Sequence, residues 1–431
     1  MSGGVDSSLS ASLLVEQGYD VTGVYMKNWT ADLPGVKCPW ADDLADAKRV
    51  AVQLGIDFKV FDFENQYKRA VVDYMIDEYK KGRTPNPDIM CNSEVKFKLF
   101  LDAALADGAD MIATGHYARV INQYSRDSLP VISSSLLHAG LNKSPGALLS
   151  SDSRVSDEIT TKLPDSHITP QSSRSAIVSN DTLEPKSEVA PGPNSDLERS
   201  SVIGNSSRKD DQYLNILKMS VDENKDQTYF LYRVTAQALG KTLFPIGEFT
   251  KPQVRQMAEE RGLTTAVKKD SQGICFVGQV GIRDFLSLYV DSKPGQIIDK
   301  KFGKMLGYHD GAIFYTFGQR HGLDLGGGMP YYVVGKDMAK NEVYVTTDLN
   351  DDALWKKTIN LTDLHWVNEA PVDGRYEIRV RHRAPLVGAV LTSGDDNTLK
   401  LDLDNPERAI APGQSIVIYD DEICLGGGVI I

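Results

Sequence analysis

Hydrophobic positions in the first 120 residues alternate between helical spacing and short apolar runs. The helical stripes predict four helices, one ending near Gly18, one ending at Gly55, one over 66–81 and one from about Ser93. The apolar runs predict strands between them, over 21–26, 56–61 and 111–114. Alternating helices and strands favour an α/β domain with a parallel sheet, most simply a doubly wound one.

The pattern changes along the rest of the chain. A helix is predicted over 252–262, and after Pro294 the sequence becomes glycine-rich, with short alternating strands such as 399–403 and 416–419. We predict that 211–290 completes the domain begun by 1–120. A small central β-rich domain over 291–365 and a C-terminal β-barrel over 366–431 are expected to follow.

Residues 121–210 have a different composition. They contain 21 serines, and Tyr124 is their one aromatic residue among Phe, Trp and Tyr. Such a segment buries too little apolar surface to offset the entropy lost on ordering. We predict a disordered insertion, and a regulatory or partner-binding loop is the alternative.

Composition narrows the function classes. The net charge of -12 argues against a protein that coats nucleic acid without specificity, although a local basic groove remains possible. No apolar run approaches the ~18 residues of a membrane helix, so no membrane partner is expected. The four cysteines, none in a CxxC pair, favour a reducing compartment in which one or two thiols are used chemically.

The strongest motif is the string SGGVDSS at residues 2–8, directly before a predicted helix. Glycines let backbone N–H groups approach phosphate oxygens, the helix N-terminus favours negative charge, and serine hydroxyls add donors. Asp6 is a candidate ligand for Mg2+ beside the phosphates. An ordinary glycine-rich turn is the alternative. The string is the signature of the PP-loop ATP pyrophosphatases, a resemblance that implies cleavage of ATP to AMP and pyrophosphate and leaves the substrate open.

Two further motifs contain cysteine. In GRTPNPDIMCN at residues 82–92, prolines stiffen a loop that presents Asp88 and Cys91, a candidate acid/base and nucleophile. In KKDSQGICF at residues 268–276, adjacent lysines would lower the pKa of the Cys275 thiol. Each motif alone has a plain alternative, a buried structural cysteine.

Taken together, the motifs resemble those of the tRNA-specific 2-thiouridylases. The resemblance covers essentially all of the chain except the serine-rich segment. It rests on these strings in this order: MSGGVDSS, GVYMKNW, GRTPNPDIMCN, VKFK, ATGHYAR, NKDQTYFLY, FPIGE, KPQVR, KDSQGICF, TFGQRHGL and PGQSIVIYDDEICLGGG.

The resemblance implies a role for each matching position. The ATP-binding positions would be Ser2, Gly3, Gly4, Val5, Asp6, Ser7, Met26 and Gly115. Asn86, Pro87 and Asp88 would meet the target base, with Asp88 as the acid/base. Cys275 would carry persulfide sulfur, and Cys91 would free that sulfur and leave a Cys91–Cys275 disulfide. Positions expected to touch tRNA are His116, Lys225, Asp226, Gln227, Arg381, His382 and Gln414.

The implied activity is ATP-dependent 2-thiolation of uridine 34 in a tRNA anticodon arm, supplied with sulfur by a donor protein. The base would have to leave its stack to reach the thiols. An iron–sulfur cluster held by Cys91, Cys275 and a third ligand is an alternative to the persulfide. The rival functions are another PP-loop enzyme, amidating or ligating, and a non-catalytic tRNA-binding protein.

Two departures from the family pattern affect these expectations. The family carries a strand before the PP-loop, whereas Met1 directly precedes Ser2 here, and loss of that strand should expose sheet edges and weaken the loop's anchor. The family usually has tyrosine where this chain has His382, and a histidine can still stack on a base. The long insertion favours a eukaryotic member in the mitochondrial matrix, and the cytoplasm is expected if the chain is bacterial.

Overall fold

The computed structural model describes residues 1–30, 40–124, 213–269, 281–326 and 328–431. These residues belong to one compact unit. The disorder predicted for the serine-rich segment concerns residues that lie almost entirely outside the described ranges.

The first part of the chain forms the predicted alternation of helices and strands. Its elements are α1 (Val5–Glu16), β1 (Thr22–Lys27), α2 (Trp40–Leu54), β2 (Asp57–Asp62), α3 (Glu64–Tyr67), α4 (Tyr74–Lys80), α5 (Pro87–Met90), α6 (Leu101–Ala106) and β3 (Ile112–Ala113). Helical turns with π geometry, Lys68–Asp73 and Cys91–Phe100, join α3 to α4 and α5 to α6. Gly55, with φ +67°, ends α2 at the predicted glycine.

The parallel strands form two separate pairs. β1 pairs with β2 from Thr22↔Asp57 to Lys27↔Asp62, and β3 pairs with β6 (Thr242–Leu243). Within the described residues no strand joins these pairs, so the expected doubly wound sheet is not continuous. The amino group of Met1 donates to the carbonyl oxygen of Val24 on β1.

The helix predicted to start at about Ser93 begins earlier. Asn86 has extended backbone geometry, and its side-chain Oδ1 accepts hydrogen bonds from the backbone N–H groups of Asp88 at 3.1 Å and Ile89 at 3.4 Å. Pro87 occupies the first turn, where its missing N–H costs nothing. Helical structure therefore starts at Pro87, and Cys91 lies one turn inside it.

A hairpin leads from the first domain to the barrel. β4 (Ala118–Tyr124) and β5 (Tyr213–Met219) pair antiparallel from Ala118↔Met219 to Tyr124↔Tyr213. Tyr124 and Tyr213, which border the segment 125–212, are therefore paired at one end of a regular strand pair. Short helices α7 (Thr228–Leu231) and α8 (Ala236–Leu239) follow, and then α9 (Lys251–Glu260) and α10 (Ile282–Ser287).

The C-terminal half contains two β structures. The central sheet has the order β8-β7-β10-β9 and consists of β7 (Gly295–Asp299), β8 (Met305–His309), β9 (Tyr332–Asp337) and β10 (Glu342–Thr346). The barrel consists of β11 (Trp355–Trp366), β12 (Gly374–Arg379), β13 (Val387–Ser393), β14 (Leu399–Arg408), β15 (Ser415–Asp420) and β16 (Ile423–Ile430). Pairing of β11 with both β14 and β16 closes it.

The barrel begins before the predicted boundary at residue 366, because all of β11 belongs to its sheet. Alternation along β14 points Leu399, Leu401 and Leu403 into the barrel core. A second core cluster crosses domain boundaries, since residues of the first domain pack there with Val417 and Tyr419 of β15. Of the described helices, none has the length and apolar character needed to span a membrane.

Candidate active site

The phosphate-loop motif lies at the start of α1. Gly4 is the N-cap residue, and no described side chain caps this helix end. Its first N–H groups are thus oriented as an anion site requires. Gly3 has φ +72°, and a Cβ there would lie 2.3 Å from the Asp43 carbonyl oxygen, so only glycine fits. Among the described residues, a Cβ on Gly4 would meet Ser2 Oγ alone within 4 Å, at 3.5 Å, which leaves room there for a ligand.

Serine side chains fix the shape of this loop. The Ser7 hydroxyl accepts from the backbone N–H of Ser2 at 3.1 Å and donates to the Gly4 carbonyl oxygen at 3.2 Å. The hydroxyl of Ser8 donates to the same carbonyl at 2.8 Å. These bonds hold the loop in one conformation before any nucleotide arrives.

Asp6, in the first turn of α1, has two partners that sequence reasoning missed. The Lys251 ammonium donates to both carboxylate oxygens, at 2.7 and 2.9 Å, and the Tyr117 hydroxyl donates to one of them at 2.9 Å. The described residues contain no group of three or more His, Cys, Asp or Glu side chains arranged to hold a metal ion. The structure pairs Asp6 with the Lys251 ammonium, and ligation of Mg2+ by Asp6 stays a prediction.

Gly115 lies against the start of α1, whereas Met26 lies on β1. A Cβ on Gly115 would be 2.7 Å from the Ser7 backbone nitrogen, so the chain after β3 packs directly against the loop. Met26 is half-buried on β1 and packs against the largest core cluster. The structure thus brings Gly115 to the motif, and the predicted ATP contact of Met26 stays a prediction.

His116 is buried beside this region. Its Nδ1 lies 2.8 Å from the Thr114 hydroxyl, and its ring packs 5.6 Å from Phe97 and 6.2 Å from Phe244, centroid to centroid. Burial, with a smaller effect of Lys96, holds its pKa well below the usual value for histidine. Only 8% of the residue is exposed, and its predicted contact with tRNA stays a prediction.

The second motif places an acid and a thiol on one helix face. Asp88 lies in the first turn of α5 and Cys91 follows it by one helical turn, a spacing that puts both on the same side. Cys91 is buried, with 1% of its surface exposed. The sequence placed this thiol close to a helix start. The structure adds that it is buried.

All three domains hold this loop. The backbone N–H of Thr84 donates to the Pro412 carbonyl oxygen of the barrel at 2.8 Å, and a Cβ on Gly413 would lie 2.7 Å from Arg83 Cβ. A Cβ on Gly82 would lie 2.8 Å from Met338 Cγ, beside the central sheet. Gln414, predicted to touch tRNA, is half-buried, and its carbonyl oxygen accepts from the Ile430 N–H at 2.8 Å.

An aromatic pair lies next to the second motif. The Asn92 side-chain amide donates to the Phe230 carbonyl oxygen at 3.1 Å, and the Phe230 ring lies 4.5 Å from the His382 ring at 43°. Partial burial, then Arg383, Arg379 and Lys225, lowers the pKa of His382 to about 4. Arg381 is exposed next to it. This edge of the barrel combines a neutral imidazole, an aromatic ring and cations, the chemistry that suits a nucleobase beside phosphate.

Residues 225–227 have separate roles. The Asp226 carboxylate is buried and accepts from the Arg379 guanidinium at 2.7 Å, the Thr228 hydroxyl at 2.6 Å and the Ser220 N–H at 3.0 Å. Asp226 is 1% exposed, and its predicted contact with tRNA stays a prediction. Desolvation requires a buried carboxylate to be paired inside the protein.

Gln227 and Lys225 flank that buried aspartate. Gln227 Oε1 accepts from the Tyr117 N–H at 2.9 Å, so this side chain supports the residue that bonds Asp6. Lys225 is half-buried, and its charge acts on His382. The predicted contacts of Lys225 and Gln227 with tRNA stay predictions.

Cys275 lies outside the described residues, and its predicted pairing with Cys91 stays a prediction. The chain before it is anchored, because the Lys268 ammonium binds Asp43 at 2.7 Å and Asp46 at 2.5 Å. The positive charge expected to act on Cys275 is thus shared with two carboxylates.

Comparison with known proteins matches three domain families in order. The tRNA methyl transferase HUP domain covers 1–135 and 200–279, the tRNA methyl transferase PRC-barrel domain covers 283–347, and the aminomethyltransferase beta-barrel domain covers 356–430. Similar full-length proteins include the tRNA-specific 2-thiouridylases MnmA of Bacillus cytotoxicus, Bacillus cereus and Bacillus anthracis. Each is 38% identical over 434 aligned positions, covering 100% of this chain and 93% of the relative. Domain order, motif geometry and full-length identity agree, and the chain belongs to the tRNA-specific 2-thiouridylase family.

Proposed function

We propose that this protein is an ATP-dependent sulfurtransferase that replaces the C2 oxygen of uridine 34 in tRNA with sulfur. The observation that carries the proposal is the placement of Asp88 and Cys91 one turn apart on a helix whose preceding loop contacts the central sheet and the barrel. The phosphate loop supplies the proposed ATP site. There the start of α1 has no side-chain cap, and the described residues leave space for a phosphate beside Gly4.

The chemistry divides into activation and sulfur transfer. A uridine C2 carbonyl carries a poor leaving group, and adenylation, with release of pyrophosphate, turns its oxygen into part of AMP. The N–H groups at the start of α1 are oriented to bind the phosphates of ATP. Asp88 is proposed to move the proton of the base, and stiffening by Pro87 keeps its carboxylate in place.

Sulfur transfer is assigned to the two cysteines. The terminal sulfur of a Cys275 persulfide adds at C2, and AMP leaves with the original oxygen. The Cys91 thiolate attacks the Cys275 sulfur, the S–S bond breaks, and its electron pair stays on the transferred sulfur. A Cys91–Cys275 disulfide results, and a thiol reductant must restore both thiols before the next turnover.

The tRNA is proposed to bind along the cationic and aromatic edge formed by Lys225, Phe230, Arg381 and His382. The flipped base can stack there while the lysine and arginine side chains bind the phosphates. A chain with a net negative charge needs such a local group of cations to bind RNA. A persulfide-carrying protein is the proposed sulfur source, and Mg2+ is proposed to enter with ATP. The mitochondrial matrix is the proposed location, on the ground of the long serine-rich segment.

The test is quantification of 2-thiouridine by mass spectrometry after tRNA is incubated with the protein, ATP, Mg2+ and a sulfur donor. Wild type should thiolate, and Cys91→Ser, Cys275→Ala and Asp88→Asn should lose roughly 100-fold or more of the rate. Cys424→Ala is the matched control, because Cys424 is a buried free cysteine on a barrel strand and burial raises the pKa of its thiol. It should retain wild-type turnover.

The rivals give different outcomes. Full turnover of ATP by Cys91→Ser would favour an amidating or ligating PP-loop enzyme. Tight tRNA binding by wild type without thiolation or ATP cleavage would favour a non-catalytic binding protein.

A further inference from the structure

Helices α1 and α9 lie side by side and run in the same direction. At their N-terminal ends Lys251 contacts Asp6, and at their C-terminal ends the Arg261 guanidinium bonds both oxygens of Glu16, at 2.6 and 2.8 Å. Both helix N-termini therefore point toward the phosphate loop, and both dipoles favour an anion there.

The negative charge of Asp6 opposes the binding of an anion at this place. Its carboxylate lies in the first turn of the helix whose free N–H groups form the phosphate site. A triphosphate arriving at that helix end meets a like charge a few ångströms away, at a distance where repulsion is large in a partly buried setting. The site accepts a polyphosphate only when this charge is offset.

Lys251 is built into the fold to offset it. The ammonium bonds both Asp6 oxygens, and the Lys251 side chain is only 10% exposed. Its backbone N–H donates to Asp222 Oδ2 at 2.7 Å, which fixes the start of α9. Tyr117 directs its hydroxyl to Asp6 from another side, and its ring lies 5.8 Å from the Lys251 ammonium.

We propose that Lys251 is a positioning residue that neutralises Asp6 and holds its carboxylate aside, so that the start of α1 accepts the phosphates of ATP. This inference rests on the proposed ATP site. It assigns the charge-balancing role at Asp6 to a lysine of α9 rather than to a metal ion.

Calorimetric titration of the whole protein with a non-hydrolysable ATP analogue tests the proposal. Lys251→Met should weaken binding by roughly tenfold or more, because the Asp6 charge is then uncompensated. Adding Asp6→Asn to Lys251→Met should restore affinity close to wild type. Lys251→Arg, which keeps the charge, should bind as wild type does.

The matched control is Arg261→Met, which removes the other ion pair between the same two helices. The Arg261–Glu16 pair lies roughly 15 Å along α1 from the loop, at about 1.5 Å per residue. Its removal should leave the affinity for the nucleotide unchanged. Where Lys251→Met does not fold, Lys251→Gln serves, since it keeps a hydrogen bond to Asp6 without the charge.

Wild-type affinity in the Lys251 variant would overturn the proposal. So would a loss that Asp6→Asn does not repair, because a structural or direct-contact role for Lys251 predicts no such repair. The readout is binding alone, so absence of thiolation by a wild type that binds the analogue would count against the proposed function and leave this inference standing.

Discussion

The His382 imidazole lies against the Phe230 ring, and the charges of Arg383, Arg379 and Lys225 act on it. Within the described part of the chain its Nδ1 is buried without a hydrogen-bond partner. A neutral ring with a spare polar atom can stack on a base and accept or donate one hydrogen bond. The family resemblance predicted the contact, and the structure gives its electrostatic state.

That state has a pH consequence for stability. The pKa of His382 is lowered from 6.5 to about 4, so between these values the unfolded chain binds a proton that the folded protein does not. Protonation of His382 in the unfolded chain therefore lowers the free energy of unfolding as pH falls through this window. Above pH 6.5, His382 does not change the free energy of unfolding. His382→Tyr should make the unfolding free energy less dependent on pH there.

Urea unfolding of wild type and His382→Tyr across that pH window measures the effect. Comparing the two proteins cancels the other buried histidines, such as His116, which both retain. Parallel pH profiles would mean that His382 titrates normally in the folded state.

At the scale of elements, the barrel loop at Gly413 shapes the loop that carries Asp88 and Cys91. Gly413 has φ +91°, and an added Cβ would lie 2.7 Å from Arg83 Cβ and 2.8 Å from the Thr84 nitrogen. A side chain there must push the second motif away from its position. Displacements near 1 Å at a reacting centre can cost about 100-fold in rate.

Gly413→Ala should therefore reduce thiolation by roughly tenfold or more. Gly108→Ala is the matched control, because Gly108 has φ +95° and no atom of the described residues lies within 4 Å of its added Cβ. Both variants should lose about 1–3 kcal/mol of stability through backbone strain. Equal thiolation rates in the two variants would show that the barrel loop does not position the motif.

At the scale of the whole molecule, the segment 125–212 is attached through one regular hairpin. The register from Ala118↔Met219 to Tyr124↔Tyr213 brings both ends of the segment to paired strand ends. A short turn can close such a pair without moving either strand. The architecture of the described unit therefore does not depend on the length of the segment.

Replacing 125–212 with an Asn-Gly turn should preserve thiolation. The unfolding free energy should rise by up to about 3 kcal/mol, since each halving of loop length contributes about 0.6 kcal/mol. Thermal or urea unfolding and the 2-thiouridine assay measure both effects. A variant that folds and loses activity would assign the segment a working role.

The sequence by itself determined the element types, the domain order and both motifs. Periodicity, glycine caps and the Asp88–Cys91 spacing are local properties, and short-range sterics and hydrogen bonding act on them directly. Local signals also misplaced some features. The helix expected at Ser93 starts at Pro87, because the cap at Asn86 outweighed the apolar pattern.

Only the tertiary structure decided which charges meet. Lys251 reaches Asp6 across 245 positions of sequence, and Asp226 reaches Arg379 across 153. Such pairs depend on how helices and sheets dock, which no local pattern encodes. A polar run such as 225–227 therefore looks uniform in sequence, whereas burial makes one of its residues, Asp226, the counter-ion of Arg379.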